Sequence, residues 1–340
     1  MAKVTLKHVA DQAGVGVATV DRVLNGRAPV SSETAARVLA AAETLGYRSR
    51  WFLRRRIEEM APAKRLGFIL QKSNKWFYQE LATKIRSAAE GLRSIRATVD
   101  IRFVESLSPP ELAQAVTQMA SMVDAIALVS LDHPLVRAAI EGASVPVYAL
   151  LSPLSTPAQA GYVGIDNHKA GRTAGWAMAT LTGRQGEVGV LIGSHRYLGH
   201  KTLAQGFRTY IHQHAPAVQL HDPVVFLDDA ALAYEATLEL LRARPGLSGI
   251  YHCGGGVSGA LQAIREAGLP RHLFYICHGR NATTQAALQD GIADLIIDNP
   301  IGDIARKITG VMARDILGKP PQDSKDGGNV PFQLITPENL

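Results

Sequence analysis

Arg22 stands among Val17, Ala18, Asp21 and Asn25, within nine residues near the amino end of the chain. A guanidinium donates two parallel hydrogen bonds to a pair of acceptors, and an amide such as that of Asn25 donates and accepts at once. A second concentration of charge runs through Arg50, Arg54, Arg55 and Arg56. Residues 1–65 hold 12 Lys and Arg against 6 Asp and Glu, and the remainder balances at 24 against 24, so the net charge of +6 sits in the first fifth of the chain. Such a segment suits a polyanion, because cations that neutralise phosphates release counterions. The 11 histidines show no metal-ligand spacing. No Walker loop or Gly-x-Ser-x-Gly elbow occurs, so no enzyme and no cofactor is implied. Gly254-Gly255-Gly256 offers backbone N–H groups to an anion, or is a bare turn.

With 340 residues and 46% apolar side chains, more than one buried core is expected. Two cysteines, Cys253 and Cys277, do not make a disulfide framework and fit a reducing compartment. Met1-Ala2-Lys3 leads into a polar periodic segment without a secretory signal, and no apolar run reaches the ~18 residues of a membrane span. A cytoplasmic chain with no membrane partner is expected.

Leu6, Val9, Ala10 and Ala13 recur at i, i+3, i+4, i+7, with Thr5 placed as N-cap, and predict a short helix. Gly14 supplies the left-handed stop, and a second helix begins near Gly16. Its buried face is Val20, Val23 and Leu24, which turns Val17, Ala18, Asp21, Arg22 and Asn25 outward. A third helix is signalled by Ser31 or Ser32 as cap, by Glu33 and Thr34 in its first turn, by Val38, Leu39, Ala42 and Leu45, and by Gly46 as stop. The arrangement is helix-turn-helix.

Val4-Thr5-Leu6-Lys7-His8-Val9-Ala10, Ala13-Gly14-Val15, Ala18 through Gly26, Val38-Leu39 and Leu45-Gly46-Tyr47 resemble the head of the LacI/GalR family almost position for position over the first 47 residues. The resemblance implies that the second helix enters the major groove of double-stranded DNA. Arg22 then addresses guanine O6 and N7, while Val17 and Ala18 touch thymine methyls or leave room. Thr5, Thr19 and Asn25 go to phosphates, with capping and packing as the alternative for the two threonines. Gly16 and Asp21 replace serines usual in the family, and the Asp21 carboxylate is placed to orient Arg22 or a neighbouring lysine.

After Tyr47 the family carries a hinge helix whose leucine wedges into the minor groove. Here Arg56 takes the wedge position, so Arg54 and Arg56 are expected on phosphates or in a narrow groove. Trp51, Phe52 and Leu53 offer a substitute wedge, and a basic linker ordered only on DNA is the alternative.

From Arg65 onward, short β-rich runs alternate with helical ones: Leu66–Leu70, Val99–Val104, Ala125–Val129, Val145–Leu150, Val188–Ile192, Val224–Leu227, Ile250–His252, Leu273–Cys277 and Leu295–Ile297. This pattern predicts parallel sheets with right-handed crossovers, class α/β, behind an all-α head. A seam at Val163-Gly164-Ile165-Asp166-Asn167 divides the strands into two lobes. The seam, with Gly206-Phe207 and Asp290-Gly291 before Ile296-Ile297-Asp298-Asn299-Pro300, resembles periplasmic-binding-protein-like domains of the ribose type. The expected organisation is a head at 1–48, a hinge at 49–64 and a two-lobed domain at 65–340. Lobe one takes about 65–165 and 299–320; lobe two takes about 166–298 and 321–340.

Ligands of such domains sit between the lobes, at the carboxyl ends of strands. The rule selects Asn74, Trp76 and Phe77 after the first strand, where aromatic faces stack on sugar C–H surfaces or are ordinary lid and core residues. Asp132 follows the third strand. The resemblance places sugar-contacting polar groups after Gly193, which selects Arg196 and His200; the family's usual Arg before Gly-Phe is Leu203 here. Cys253-Gly254-Gly255-Gly256 replaces a usual Asn-Asp. His278 ends its strand and is a ligand contact or a satisfied structural histidine. Asp298 holds the position of a sugar-binding Gln, or it caps the next helix together with Asn299 before Pro300, and Asp166 carries the same ambiguity.

These features together predict a homodimeric regulator whose heads read a near-palindromic operator and whose DNA affinity, in repression, answers to a sugar, polyol or sugar acid. A sugar-binding protein without a regulatory role and an α/β enzyme are the alternatives.

Overall fold

The computed structural model describes residues 4–25, 30–47, 61–106, 108–319 and 328–340. Three helices open it: α1 (Leu6–Ala13), α2 (Val17–Asn25) and α3 (Ser32–Thr44). They enclose Val9, Ala10, Val20, Val23, Val38 and Ala42, all buried, with Leu6 and Leu45 half-buried against them. Burial of each valine contributes about 1.5–3 kcal/mol, which an isolated nine-residue helix would lack. Gly14 has φ 64°, and this turn lets Val15 N–H donate to Ala10 O at 3.0 Å, closing α1. Of the two serines, Ser31 is the cap of α3: its hydroxyl accepts from Thr34 N at 3.3 Å.

Behind the head lie two parallel sheets. The first holds β1 (Ala63–Gln71), β2 (Arg96–Val104), β3 (Ala125–Leu128), β4 (Val147–Leu150) and β5 (Gly161–Val163), in the order β2-β1-β3-β4-β5. Its crossovers are α4 (Trp76–Glu90), α5 (Pro109–Ala120) and α6 (Pro134–Glu141). Strands covered on both faces read as unbroken apolar runs, and Ala125–Leu128 is buried throughout.

The second sheet holds β6 (Gly186–Ile192), β7 (Val218–Leu220), β8 (Val224–Val225), β9 (Leu247–Cys253), β10 (Phe274–His278), β11 (Leu295–Asp298) and the antiparallel β12 (Gln333–Ile335). The order is β12-β11-β10-β9-β6-β7, with β8 also pairing with β6. Its helices are α7 (Asn167–Leu181), α8 (Leu198–His214), α9 (Ala230–Ala243), α10 (Val257–Ala267) and α11 (Ala282–Gln289). Helices α7 and α8 pack so closely that a Cβ on Gly206 would lie 2.3 Å from the His168 carbonyl oxygen. The Gly206-Phe207 pair is thereby explained: the glycine admits the neighbouring backbone, and Phe207 stacks on Tyr251 with centroids 4.5 Å apart.

The chain passes between lobes more than once. After β5 it enters α7 through Asp166, whose carboxylate accepts from Lys169 N at 3.0 Å as N-cap. After β11 it returns, because α12 (Ile301–Ile316) buries Ile304, Ile308 and Met312 in the first core. It crosses again before β12, where Asn329 bridges to Gly164.

Three short strands, β5, β7 and β12, were not signalled by the sequence pattern, and the expected strand Val224–Leu227 stops at Val225 because Leu227 and Asp228 both take φ 55°. The expected cap of α12 also shifts. Pro300 itself is the N-cap, and the Asp298 carboxylate accepts instead from Arg280 N at 2.7 Å. Among the described residues no helix is long and apolar enough to cross a membrane.

Candidate functional site

On α2, Val17, Ala18 and Arg22 are exposed, within an arc of about 140° at 100° per residue. Val20 and Val23 fill the opposite side. Thr19 is half-buried, and Thr5 is exposed at the start of α1, where its N–H donates to His8 Nδ1 at 3.2 Å. The Asn25 side chain, Arg54 and Arg56 lie outside the described residues, as do Trp51, Phe52 and Leu53. The described surface therefore presents one long cationic donor flanked by short apolar groups.

In the two-lobed part, the carboxyl ends of both sheets face each other and touch. Asp132 N–H donates to Arg196 O at 2.8 Å, and Gly199 N–H donates to Ser152 Oγ at 3.0 Å. Tyr197, the residue before α8, is 5% exposed and packs into the core of lobe one with Leu131 and Leu154. The cleft is closed. Desolvation there pushes the Tyr197 and Tyr78 hydroxyls well above the ordinary phenol range, with the Asp228 carboxylate adding to both.

Inside the second lobe, Asp228 reaches across from the end of β8 to accept from Gly255 N at 2.6 Å. Its other oxygen lies 4.0 Å from His200 Nδ1, which accepts from Ser194 N at 3.3 Å. His252 places Nε2 at 2.7 Å from Gly255 O and Nδ1 at 2.8 Å from the Tyr275 hydroxyl. A carbonyl only accepts, so Nε2 carries the proton and Nδ1 takes the Tyr275 O–H. His278 pairs through Nε2 with the Tyr251 hydroxyl at 2.8 Å. Burial lowers His252 to about 4 and His278 to about 3, so both are neutral near pH 7. Burial raises the Asp298 carboxyl above its usual range, against the Arg280 backbone bond.

Among the described residues, four of the five non-glycine residues with positive φ, namely Lys72, Leu151, Leu227 and Asp228, follow β1, β4 and β8 at this cleft. Backbone strain gathers where ligand groups must be placed.

The candidates separate under this geometry. His200, His278 and Asp298 line the strand ends of lobe two. Arg196 is exposed at the line where the lobes meet. The Asp132 carboxylate is already engaged, with Arg137 Nη1 at 3.1 Å and Ser155 Oγ at 2.7 Å. Asn74 is exposed in the turn after β1, and Trp76 is 52% exposed. Phe77 packs on the first core, edge-on to Tyr78 at 5.3 Å. The glycine turn is not vacant for an outside anion at Gly255, since Asp228 holds that N–H. Sequence reasoning missed Gln71, Tyr78, Tyr197 and Asp228. Gln71 alone carried a signal, a polar residue closing an apolar strand. Its side chain is 1% exposed and donates to Val129 O at 2.7 Å, while its Oε1 is buried without a partner. Among the described residues no group of three or more His, Cys, Asp or Glu is placed to hold a metal.

Residues 5–49 match the family described as bacterial regulatory proteins, lacI family, and residues 66–320 match the periplasmic binding protein domain. This chain belongs to the LacI/GalR family and carries a periplasmic binding protein domain. The HTH-type transcriptional regulator in the aml 5'region of Streptomyces limosus is 28% identical over 208 residues, 59% of this LacI/GalR chain and 56% of that protein. The HTH-type transcriptional regulator GalS of Salmonella typhimurium is 56% identical over 45 residues, 13% of each chain. The matched region thus spans about half the length of the first relative and much less of the second. Among solved structures, the glucose-galactose binding protein GanP from Geobacillus stearothermophilus superposes with a TM-score of 0.75 at 17% identity, over 82% of this chain and 99% of that one. A solute binding protein from Agrobacterium vitis with bound D-fucose gives 0.74 at 21% identity, over 81% and 96%. At these identities the likeness is one of fold.

Proposed function

We propose that the chain is a sequence-specific DNA-binding transcription regulator, a cytoplasmic homodimeric repressor whose hold on a near-palindromic operator is set by a sugar-like effector between the lobes. The observation that carries this reading is the exposed Val17, Ala18 and Arg22 face of α2 on a basic head, joined in one chain to a cleft bridged by the Asp132–Arg196 and Gly199–Ser152 hydrogen bonds. Arg22 reads guanine, the apolar pair reads methyl groups, and Thr5 and Thr19 hold phosphates. A two-fold pair of heads imposes the half-site order. His200, His278 and Asp298 contact the effector from lobe two, with Arg196 at the rim. An effector that favours the closed cleft shifts the lobes and hence DNA affinity by its differential affinity for the two states. The relatives named as transcriptional regulators support the gene-regulatory part, and the sugar-binding fold neighbours support the effector class.

Gel retardation of a random-duplex pool by the full chain, followed by sequencing of the retained fraction, tests the DNA part. Recovery of a palindromic sequence is expected. A retained pool with no enriched sequence contradicts it.

A further inference from the structure

In a parallel α/β sheet a ligand is held where the strand order turns outward on both sides of one strand. In lobe two that point lies between β6 and β9, at Gly193 and Gly254. The turn after β9 has the form that receives an anion: Gly254 and Gly256 take positive φ, and backbone N–H groups open onto the strand ends. An anion is already there, supplied by the chain. Asp228 Oδ1 accepts from Gly255 N at 2.6 Å, and a Cβ built on Gly193 or Gly254 would fall 2.1 Å or 2.6 Å from the same oxygen. The left-handed pair Leu227 and Asp228 aims the carboxylate inward.

We propose that the Asp228 carboxylate fills the anion-receiving turn of lobe two and makes the cleft select a neutral, hydroxyl-rich effector over its carboxylated or phosphorylated relatives. This rests on the reading of the cleft as the effector site.

The rest of the lining agrees. Gln71, at the corresponding switch point of lobe one between β1 and β3, keeps a buried Oε1 with no partner, an acceptor waiting for a donor. Asp298 adds a second carboxylate at the end of β11. His252 is committed to Gly255 O, His278 meets the Tyr251 hydroxyl through Nε2 alone, and neither carries a charge near pH 7. Of the cationic side chains, Arg280 Nη2 and Nε lie 3.2 Å from the Gln285 amide oxygen in the orientation that satisfies both. Arg196 and Lys201 are exposed. The N–H groups of Leu232 and Ala231 hold the Asp229 carboxyl below the usual range, and Lys75 and Lys72 of lobe one add a weaker pull from a distance. His200 Nδ1 lies 4.0 Å from Asp228 but accepts from Ser194 N, so it offers that carboxylate no proton. A hydroxyl donates to these acceptors, whereas a second anion meets Asp228 as a like charge.

The test is calorimetric titration of the full-length protein and of Asp228→Asn with pentoses, hexoses and the corresponding polyols, each beside its sugar acid and its monophosphate. Asn tolerates the left-handed backbone, and its amide oxygen still accepts from Gly255, so the variant keeps the fold. On the wild-type protein the neutral compound that binds should do so at least about tenfold more tightly than its anionic partners, and in Asp228→Asn the gap should shrink to about threefold or less. Tighter binding of an acid or phosphate by the wild-type protein overturns the proposal while leaving the cleft reading intact. So does a gap unchanged by the substitution. If no member of the series binds either protein, the cleft reading itself fails and the proposal falls with it.

Discussion

Tyr197 belongs to lobe two by sequence and to the core of lobe one by packing, which makes its ring a measure of cleft closure. A buried tyrosine removes about 150–200 Å² from water, worth roughly 4–5 kcal/mol at 25 cal/mol per Å². If about half of that surface stays covered by lobe two when the cleft opens, closure loses about 2 kcal/mol in Tyr197→Ala. For an effector that binds only the closed form, this loss appears as affinity weakened about thirtyfold. Calorimetric titration with whichever sugar or polyol binds the wild-type protein reads it directly. Tyr197→Phe, which keeps the ring, should stay within about threefold of wild type. If Tyr197→Ala binds effector with unchanged affinity while remaining folded, the ring does not link closure to binding and the reasoning is wrong.

Arg22→Ala should weaken binding to the selected operator by about 1–3 kcal/mol and relax preference at one base pair in each half-site, read by footprinting on single-base variants. Gly206→Ala drives a methyl group into the His168 carbonyl and should cost about 1–3 kcal/mol, lowering the thermal midpoint. His252 and His278 have folded values of about 4 and 3, below the ordinary 6.5, so the unfolded chain binds more protons across that window. Stability should therefore be full above about pH 6.5 and fall as pH drops toward 4, by up to about 1.4 kcal/mol per pH unit for each histidine. Urea midpoints measured from pH 7.5 to 4.5 check the slope, and a flat profile would contradict the burial of neutral histidines.

The head was nearly all legible. Its three helices carry their own apolar spacing and stops, as in Val9, Ala10 and Ala13 ahead of Gly14, and local pattern decides local structure there. The alternation that implies two parallel sheets was equally plain, because β3 is apolar along its length and β6 ends in the run Val190-Leu191-Ile192. What escaped depends on tertiary context. Strands β5, β7 and β12 have three residues each, too few for a period to register, and exist because longer neighbours offer them a partner. Asp228 escaped for a related reason. The stretch Leu227-Asp228-Asp229-Ala230 reads as an entry to α9, and Asp229 does cap it, accepting from Ala231 N at 2.8 Å. Only the left-handed turn carries the preceding carboxylate to Gly255. The glycine run was legible as a set of anion-receiving N–H groups, but a sequence does not show that a side chain 27 residues earlier already occupies one.

The proposed regulator couples an α2 surface that reads DNA to a cleft that binds a small sugar or polyol. Gel retardation of the selected operator by the full-length protein, with and without the sugar or polyol that raises its thermal midpoint most, tests both halves at once. The prediction is a sequence-specific complex whose midpoint shifts several-fold when that compound is added. Binding that ignores both the duplex sequence and the compound would contradict it.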